Sequence, residues 1–136
     1  MDELSKSQRI AVAGMKVQAE RLRVVAQNLA NAESVGQRPG EQPYRRKLIT
    51  FESALDRELG AESVRVRRVK EDMTPFPKDL DPSHPAADAD GYVMKPNVNP
   101  LIEIMDMQEA QRSYEANMST ISVAREMSQR TLELLR

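Results

Sequence analysis

The 136-residue sequence has no cysteine and no tryptophan. Without cysteine there is no disulfide, no zinc–thiolate site and no thiol nucleophile. Aromatics are scarce, three Tyr and two Phe, against eight Met. Large apolar side chains supply most of the burial energy of a compact core, so this is thin core material. Methionine and alanine suit helix-on-helix contacts that adapt to a partner. No apolar run approaches the ~18 residues of a membrane span. The opening stretch MDELSKSQRI begins acidic and lacks an apolar centre, so it is not expected to be a cleaved secretory signal. The five glycines are isolated and fit neither G-x-G-x-x-G nor G-x-x-x-x-G-K-[ST], and there is no G-x-S-x-G elbow.

Chemistry-bearing side chains are present but incomplete as sites. His84 is the one histidine and sits in PSHP without the partners that a catalytic or metal-binding imidazole needs. Asp88, Asp90 and Gly91 align with positions 3, 5 and 6 of a calcium loop. Position 1 would then be Ala86 and position 12 Asn97, so two essential carboxylates are missing. Arg45, Arg46 and Lys47 follow Tyr44, but nearby acidic residues and a net charge of −1 argue against a nucleic-acid surface. The sequence therefore predicts no enzyme, no metal and no cofactor.

The near-neutral charge conceals a split. Residues 36–70 hold nine Lys/Arg and five Asp/Glu, while residues 71–106 hold two and eight. This reads as solvated loops or as a basic patch that meets an acidic patch on a neighbouring copy.

The length favours one domain. From about Asp2 to Glu33 there is no proline and one glycine, Gly14. Ala11, Met15, Gln18, Leu22, Val25, Leu29 and Ala32 recur in alternating steps of four and three, a heptad rhythm with one polar intruder. A second helix is expected from Pro100 to Arg136, with Asn99 as N-cap and Pro100 at the first helical position. Glu103 and Asp106 favour its positive end. Met107, Ala110, Tyr114, Met118, Ile121, Ala124, Met127, Leu132 and Leu135 form its expected seam. Such a helix would be roughly 55 Å long. A globule of this size has a radius of gyration of about 14 Å. The expectation is an elongated helical pair whose exposed apolar stripe other subunits cover.

Residues 34–99 hold seven of the eight prolines and four of the five glycines. YRRKLITFES (44–53) and SVRVRRVK (63–70) read as strands, and GYVMKP (91–96) as a short third one. Residues 74–91 are expected to be too rich in proline for regular structure. On residues alone this is a mainly α assembly protein with a small β-rich middle. A free-standing helical scaffold or binding module remains the alternative.

Longer motifs narrow the reading. ERLRVVAQNLANAESVGQRPGEQPYRRKLITF resembles the N-terminal signature of the bacterial flagellar axial proteins, a segment close to A-x-N-L-A-N-A followed by a glycine-containing turn. Here it is carried by Ala26, Asn28, Leu29, Ala30, Asn31 and Ala32. QPYRRK, PAADADGYVMKPNVNP and MQEAQRSYEAN add to the likeness, which spans both helices and much of the middle. Gly36 lies eight residues from Tyr44, a longer turn than most axial proteins carry, which points to the proximal rod type.

The resemblance implies a non-catalytic chain without cofactors, exported unprocessed through the flagellar type III export apparatus. It would polymerise in the periplasm into the rod of the flagellar basal body. Residues 1–33 and 100–136 would pair as an antiparallel coiled coil of the inner tube, with residues 34–99 as the middle segment. Implied partners are further copies, the other proximal rod proteins, the adapter to the membrane ring and the distal rod segment.

This frames NLANAES, residues 28–34. On the seam above, Leu29 and Ala32 face the partner helix, while Asn28 and Asn31 share another face. Their amides are expected to bond across helices or subunits, with Arg112, Tyr114 and Asn117 as the matching polar set, the alternative being simple capping of the helix end and solvation. The candidate assembly residues are these, with Gln18, Leu22, Val25, Leu29, Ala32, Tyr44, Arg45, Arg46, Met118 and Ile121.

Overall fold

The computed structural model describes residues 3–56 and 60–136. Six elements follow one another: α1 (Glu3–Ala30), β1 (Lys47–Asp56), β2 (Ala61–Glu71), β3 (Lys78–Leu80), β4 (Tyr92–Met94) and α2 (Pro100–Leu134). The protein is mainly α, with helices of 28 and 35 residues flanking short strands. Contacts divide it into two compact units. One comprises Met1–Leu22, Ile49–Arg68 and Gln108–Arg136, the other Arg23–Leu48 and Val69–Met107.

In the first unit the helices run antiparallel. Gly14 lies against Asn117 and Arg21 is 3.3 Å from Glu109, so numbers rise along α1 as they fall along α2. Glycine suits position 14, because any larger residue would make the Asn117 side chain shift. A Cβ there would stand 2.8 Å from Asn117 Nδ2. The side chains closing this seam are small: Ala11 and Val17 from α1, Ala110 and Ala124 from α2. The β1–β2 ribbon belongs to this unit over Ile49–Arg68. Thr50 bonds Arg68, and Ser53 bonds Glu62 further toward the turn, an antiparallel order. Val64 and Val66 are half-buried while Arg65 and Arg67 are exposed, the expected alternation.

The second unit corrects one expectation. Lys78–Leu80, inside the proline-rich stretch read as irregular, forms β3 and pairs antiparallel with β4, Asp79 opposite Val93. Pro75, Pro77 and Pro82 flank β3 instead of interrupting it, so none removes a ladder donor. The ladder extends at both ends, where Lys95 N–H donates to Pro77 O and Asp81 N–H to Gly91 O, each at 2.8 Å. Gly91 has φ +85°, a left-handed conformation that suits glycine, and Val93 in β4 is fully buried.

α1 stops at Ala30, three residues before Glu33 where the sequence placed its end. Asn31 bonds the Gln27 carbonyl with both its backbone and side-chain nitrogens, and a turn follows. At the start of α2 the Asn99 side chain accepts from Leu101 N–H at 3.1 Å, as an N-cap should.

Candidate assembly site

The seam on α1 differs in its polar positions from the sequence reading. Val17, Val24, Val25 and Asn28 are buried, while Leu29 is half-buried. Asn28 is therefore an inward residue, not an outward one. A heptad reading that follows only apolar side chains passes over Asn28, because position 28 is seven beyond Arg21 and fourteen beyond Gly14. On α2, Ala110, Tyr114, Asn117, Ile121 and Ala124 lie inward, whereas Met118 and Met127 are about half exposed. Asn117 takes the inner position that had been given to Met118.

Asn28 is the centre of a polar junction in the second unit. It is 1% exposed. Its Oδ1 accepts from Lys47 N–H at 2.9 Å and Tyr44 O–H at 2.7 Å. Its Nδ2 donates to Lys47 O at 2.9 Å and Glu103 Oε2 at 3.3 Å. The side-chain amide thus satisfies both backbone groups of Lys47, as a neighbouring strand would at the entrance to β1. Two donors and an acceptor on one rigid plane make Asn suited to this place.

Arg46 joins the remaining pieces. Its Nε donates to Glu103 Oε1, its Nη1 lies 3.3 Å from Asp72 Oδ2 and its Nη2 3.5 Å from Asp106 Oδ2. Asn97 accepts from Arg46 N–H at 2.7 Å and donates to Asp72 O at 2.9 Å. Arg45 points elsewhere, donating to Asp72 O and Thr74 O and lying 4.0 Å over the Phe76 ring. Glu103 is fully buried on the first turn of α2. An ionised carboxylate there is tolerable because Arg46 and Asn28 both bond it.

Electrostatics follow from this geometry. Burial raises the pKa of the Tyr44 hydroxyl, and the Glu103 charge adds to it. Burial alone would lower that of Arg46, but its bond to Glu103 and that carboxylate's charge, then Asp72, leave it raised. The hydrogen bond from Thr74 N–H is the chief reason that Asp72 sits below the usual carboxylate range. Burial opposes it, and the Thr74 hydroxyl and Arg46 assist.

The structure thus brings Asn28, Tyr44 and Arg46 together. It adds Glu103, Asp72 and Asn97, which the sequence reading did not place here. Glu103 carried a signal: it is seven residues before Ala110 and so lies on the backward extension of the α2 seam. The amide of Asn28 finds its partners here and not in Arg112, Tyr114 or Asn117. Arg112 is exposed, Tyr114 half-buried, and Asn117 donates to Ser113 O at 3.0 Å beside Gly14. Asn31 bonds Gln27 O and accepts from Ser34 Oγ, both local contacts. Leu22, Ala32 and Ile121 are half-buried and Val25 is buried. Gln18 is half-buried on α1, and its Oε1 has no hydrogen-bond partner among the described residues.

Outward, the helices keep much apolar surface. Leu101, Ile102, Ile104 and Met105 are exposed around the first turns of α2, and Val123, Met127, Leu132, Leu134 and Leu135 near its end. On the two helices, every buried apolar side chain among the described residues is an Ala or a Val. The larger side chains that could carry burial energy thus remain open to a partner.

The family model for the C-terminal part of flagellar basal body rod FlgEFG proteins matches residues 89–134. The flagellar basal-body rod protein FlgC of Agrobacterium fabrum is 48% identical over 136 residues, 100% of this chain and 98% of its own. FlgC of Salmonella typhimurium is 38% identical over 125 residues, 92% of each chain. FlgC of Bacillus subtilis is 34% identical, over 92% of this chain and 93% of its own.

Proposed function

The chain belongs to the FlgC family of flagellar basal-body rod proteins, and from that premise we propose how its parts serve the rod. It is a structural subunit, not an enzyme, and its place is the flagellar basal body, where it assembles with other rod components. Residues 1–33 and 100–136 form the wall of the tube, and residues 34–99 carry the contacts that distinguish this subunit from its neighbours. Partners are further copies, the other proximal rod proteins, the adapter to the membrane ring and the distal rod, reached after export through the type III apparatus. Gln18, Asn31, Arg112, Met118 and the outer faces of both helices meet those partners. Asn28, Tyr44 and Arg46 act within the chain, holding residues 44–47 to both helices so that the outer surfaces keep one arrangement.

One observation carries this reading. Large apolar side chains stand exposed along α2 while the buried positions hold Ala and Val. Such a chain is stabilised by neighbours more than by its own core. Mass spectrometry of detergent-extracted basal bodies tests it. Recovery of this chain in the rod fraction is the expected result. Confinement to the soluble fraction of cells with intact flagella would overturn it.

A further inference from the structure

The charge split along the sequence appears in the structure as two unlike surfaces. The basic one lies in the first unit. Gln8, Arg9, Val12, Ala13 and Lys16 of α1 and Ser63 of β2 line an open groove of about 400 Å³. Its lining holds two cations and no carboxylate. Side chains alternate along a strand, so Arg65 and Arg67 follow Ser63 on one side of β2. Glu52 neutralises Arg65 at 2.6 Å. Lys16 and Arg67 are exposed and make no ion pair among the described residues.

The acidic surface is the loop from β3 to β4 in the second unit. Residues 79–91 hold four Asp and no Lys or Arg. The loop is fixed by its own bonds. Asp88 Oδ1 accepts from Asp90 N–H and Tyr92 N–H, each at 2.9 Å. Asp88 N–H donates to Tyr92 O at 2.9 Å and Gly91 N–H to Asp88 O at 3.0 Å. Ala89 and Asp90 are exposed on this turn, and the Asp90 carboxylate has no partner among the described residues. Ala89 and Gly91 flank it, so no bulky neighbour in the chain shields its charge.

We propose that the acidic β3–β4 loop of one copy, led by Asp90, docks on the basic α1–β2 groove of a second copy, against Lys16. The inference rests on the rod-subunit reading and names one of its contacts. Opposite charges that lack partners within the chain steer the two surfaces together and suppress like-on-like pairing. A loop already held by its own hydrogen bonds loses little freedom on docking. The two surfaces are unlike, so the contact is head-to-tail and does not close as a two-fold pair.

The absence of cysteine makes the test direct. Full-length Ala89→Cys and Val12→Cys chains are mixed and oxidised, both purified and within basal bodies of cells that make the two together. A disulfide forms only where the Cα atoms approach within about 7 Å. The expected product is the mixed dimer. Adding Asp90→Lys to the first chain should reduce it to the background set by Arg38→Cys, on an exposed loop, in place of Val12→Cys. Adding Lys16→Glu to the second chain as well should restore it, which a merely misfolded loop would not allow. Mixed dimer at background from the start, as when another rod component fills the groove, overturns the proposal. So does a mixed dimer that ignores Asp90→Lys, or a loss that Lys16→Glu does not restore, since the contact would then not rest on these charges. Where the chain is present in the rod, the basal bodies decide, and these outcomes overturn the docking alone. Its absence from basal bodies overturns the rod reading, and the purified chains then decide the docking.

Discussion

Replacing Asn28 by Leu keeps a side chain of similar size and removes four hydrogen bonds at once. The Lys47 N–H and C=O lose partners at 2.9 Å each, the Tyr44 hydroxyl loses its acceptor at 2.7 Å and Glu103 one of its donors. Tyr44 is half-buried and recovers water, and Glu103 keeps Arg46. The cost then falls mainly on the two backbone groups of Lys47, which are half-buried and so stand toward the lower end of the about 1–3 kcal/mol for each group left unpaired. A loss of about 2–3 kcal/mol is expected from those terms, a sizeable part of the ~5–15 kcal/mol that stabilises an ordinary domain. Asn28→Asp is the sharper variant. Its second oxygen would face Lys47 O and the Glu103 carboxylate where an N–H₂ stood. Repulsion there raises the pKa of the introduced carboxyl in the folded state. The variant should therefore be weakest near neutral pH, and its deficit should narrow as pH falls through that raised value. Asn31→Ala, which removes only local bonds, is the internal control at about 0.5–1.5 kcal/mol. Urea denaturation of the purified full chain, followed by circular dichroism at several pH values, measures all three. Asn28→Leu no weaker than Asn31→Ala, or a deficit in Asn28→Asp that widens on acidification, would refute the reasoning.

Four further outcomes are expected. Arg46→Met should cost about 3–5 kcal/mol because it strands the buried Glu103 carboxylate, and adding Glu103→Leu should restore part of it; a double-mutant cycle with no coupling would count against the ion pair. Asp72 has a lowered pKa when folded, so its contribution is present above about pH 4 and disappears as pH falls through the lowered value; the gap in urea midpoint between wild type and Asp72→Asn should shrink accordingly. Gly14→Ala should destabilise by about 1–3 kcal/mol through crowding Asn117, yet in an Asn117→Ala background it should stabilise by up to about 1 kcal/mol as better helix former, a change of sign readable in thermal melts. Asn31→Ala should nonetheless impair rod assembly if its outer face meets another subunit, and normal swimming in that mutant would reject this role.

The arrangement explains why a structural subunit spends a buried charge network on so small a protein. The seam between the helices is closed by Ala and Val, which bury little area per residue. Asn28, Arg46 and Glu103 add little net stability compared with apolar packing, but their geometry admits one register of the chain between α1 and α2. A subunit whose outer leucines and methionines must meet the same neighbours each time benefits from such fixing.

Local chemistry determined much of this protein in the sequence itself. The proline-free ends with heptad spacing specify two helices, Asn99 and Pro100 start the second, and alternating Val64 and Val66 specify a strand, since each depends on residues a few positions apart. Those rules are blind to which polar residue on a helix turns inward, because that depends on what stands opposite. Asn28 is inward since the backbone of Lys47 needs its amide, and Glu103 since Arg46 arrives to neutralise it. Asn117 displaces Met118 from the seam because Gly14 leaves room for an amide there. Likewise three residues between prolines became β3 only when Tyr92–Met94 offered them a partner. Periodicity places a side chain on a helix, whereas hydrogen-bond satisfaction across chain segments far apart in sequence decides whether a polar one is buried, and that is settled only in the tertiary structure.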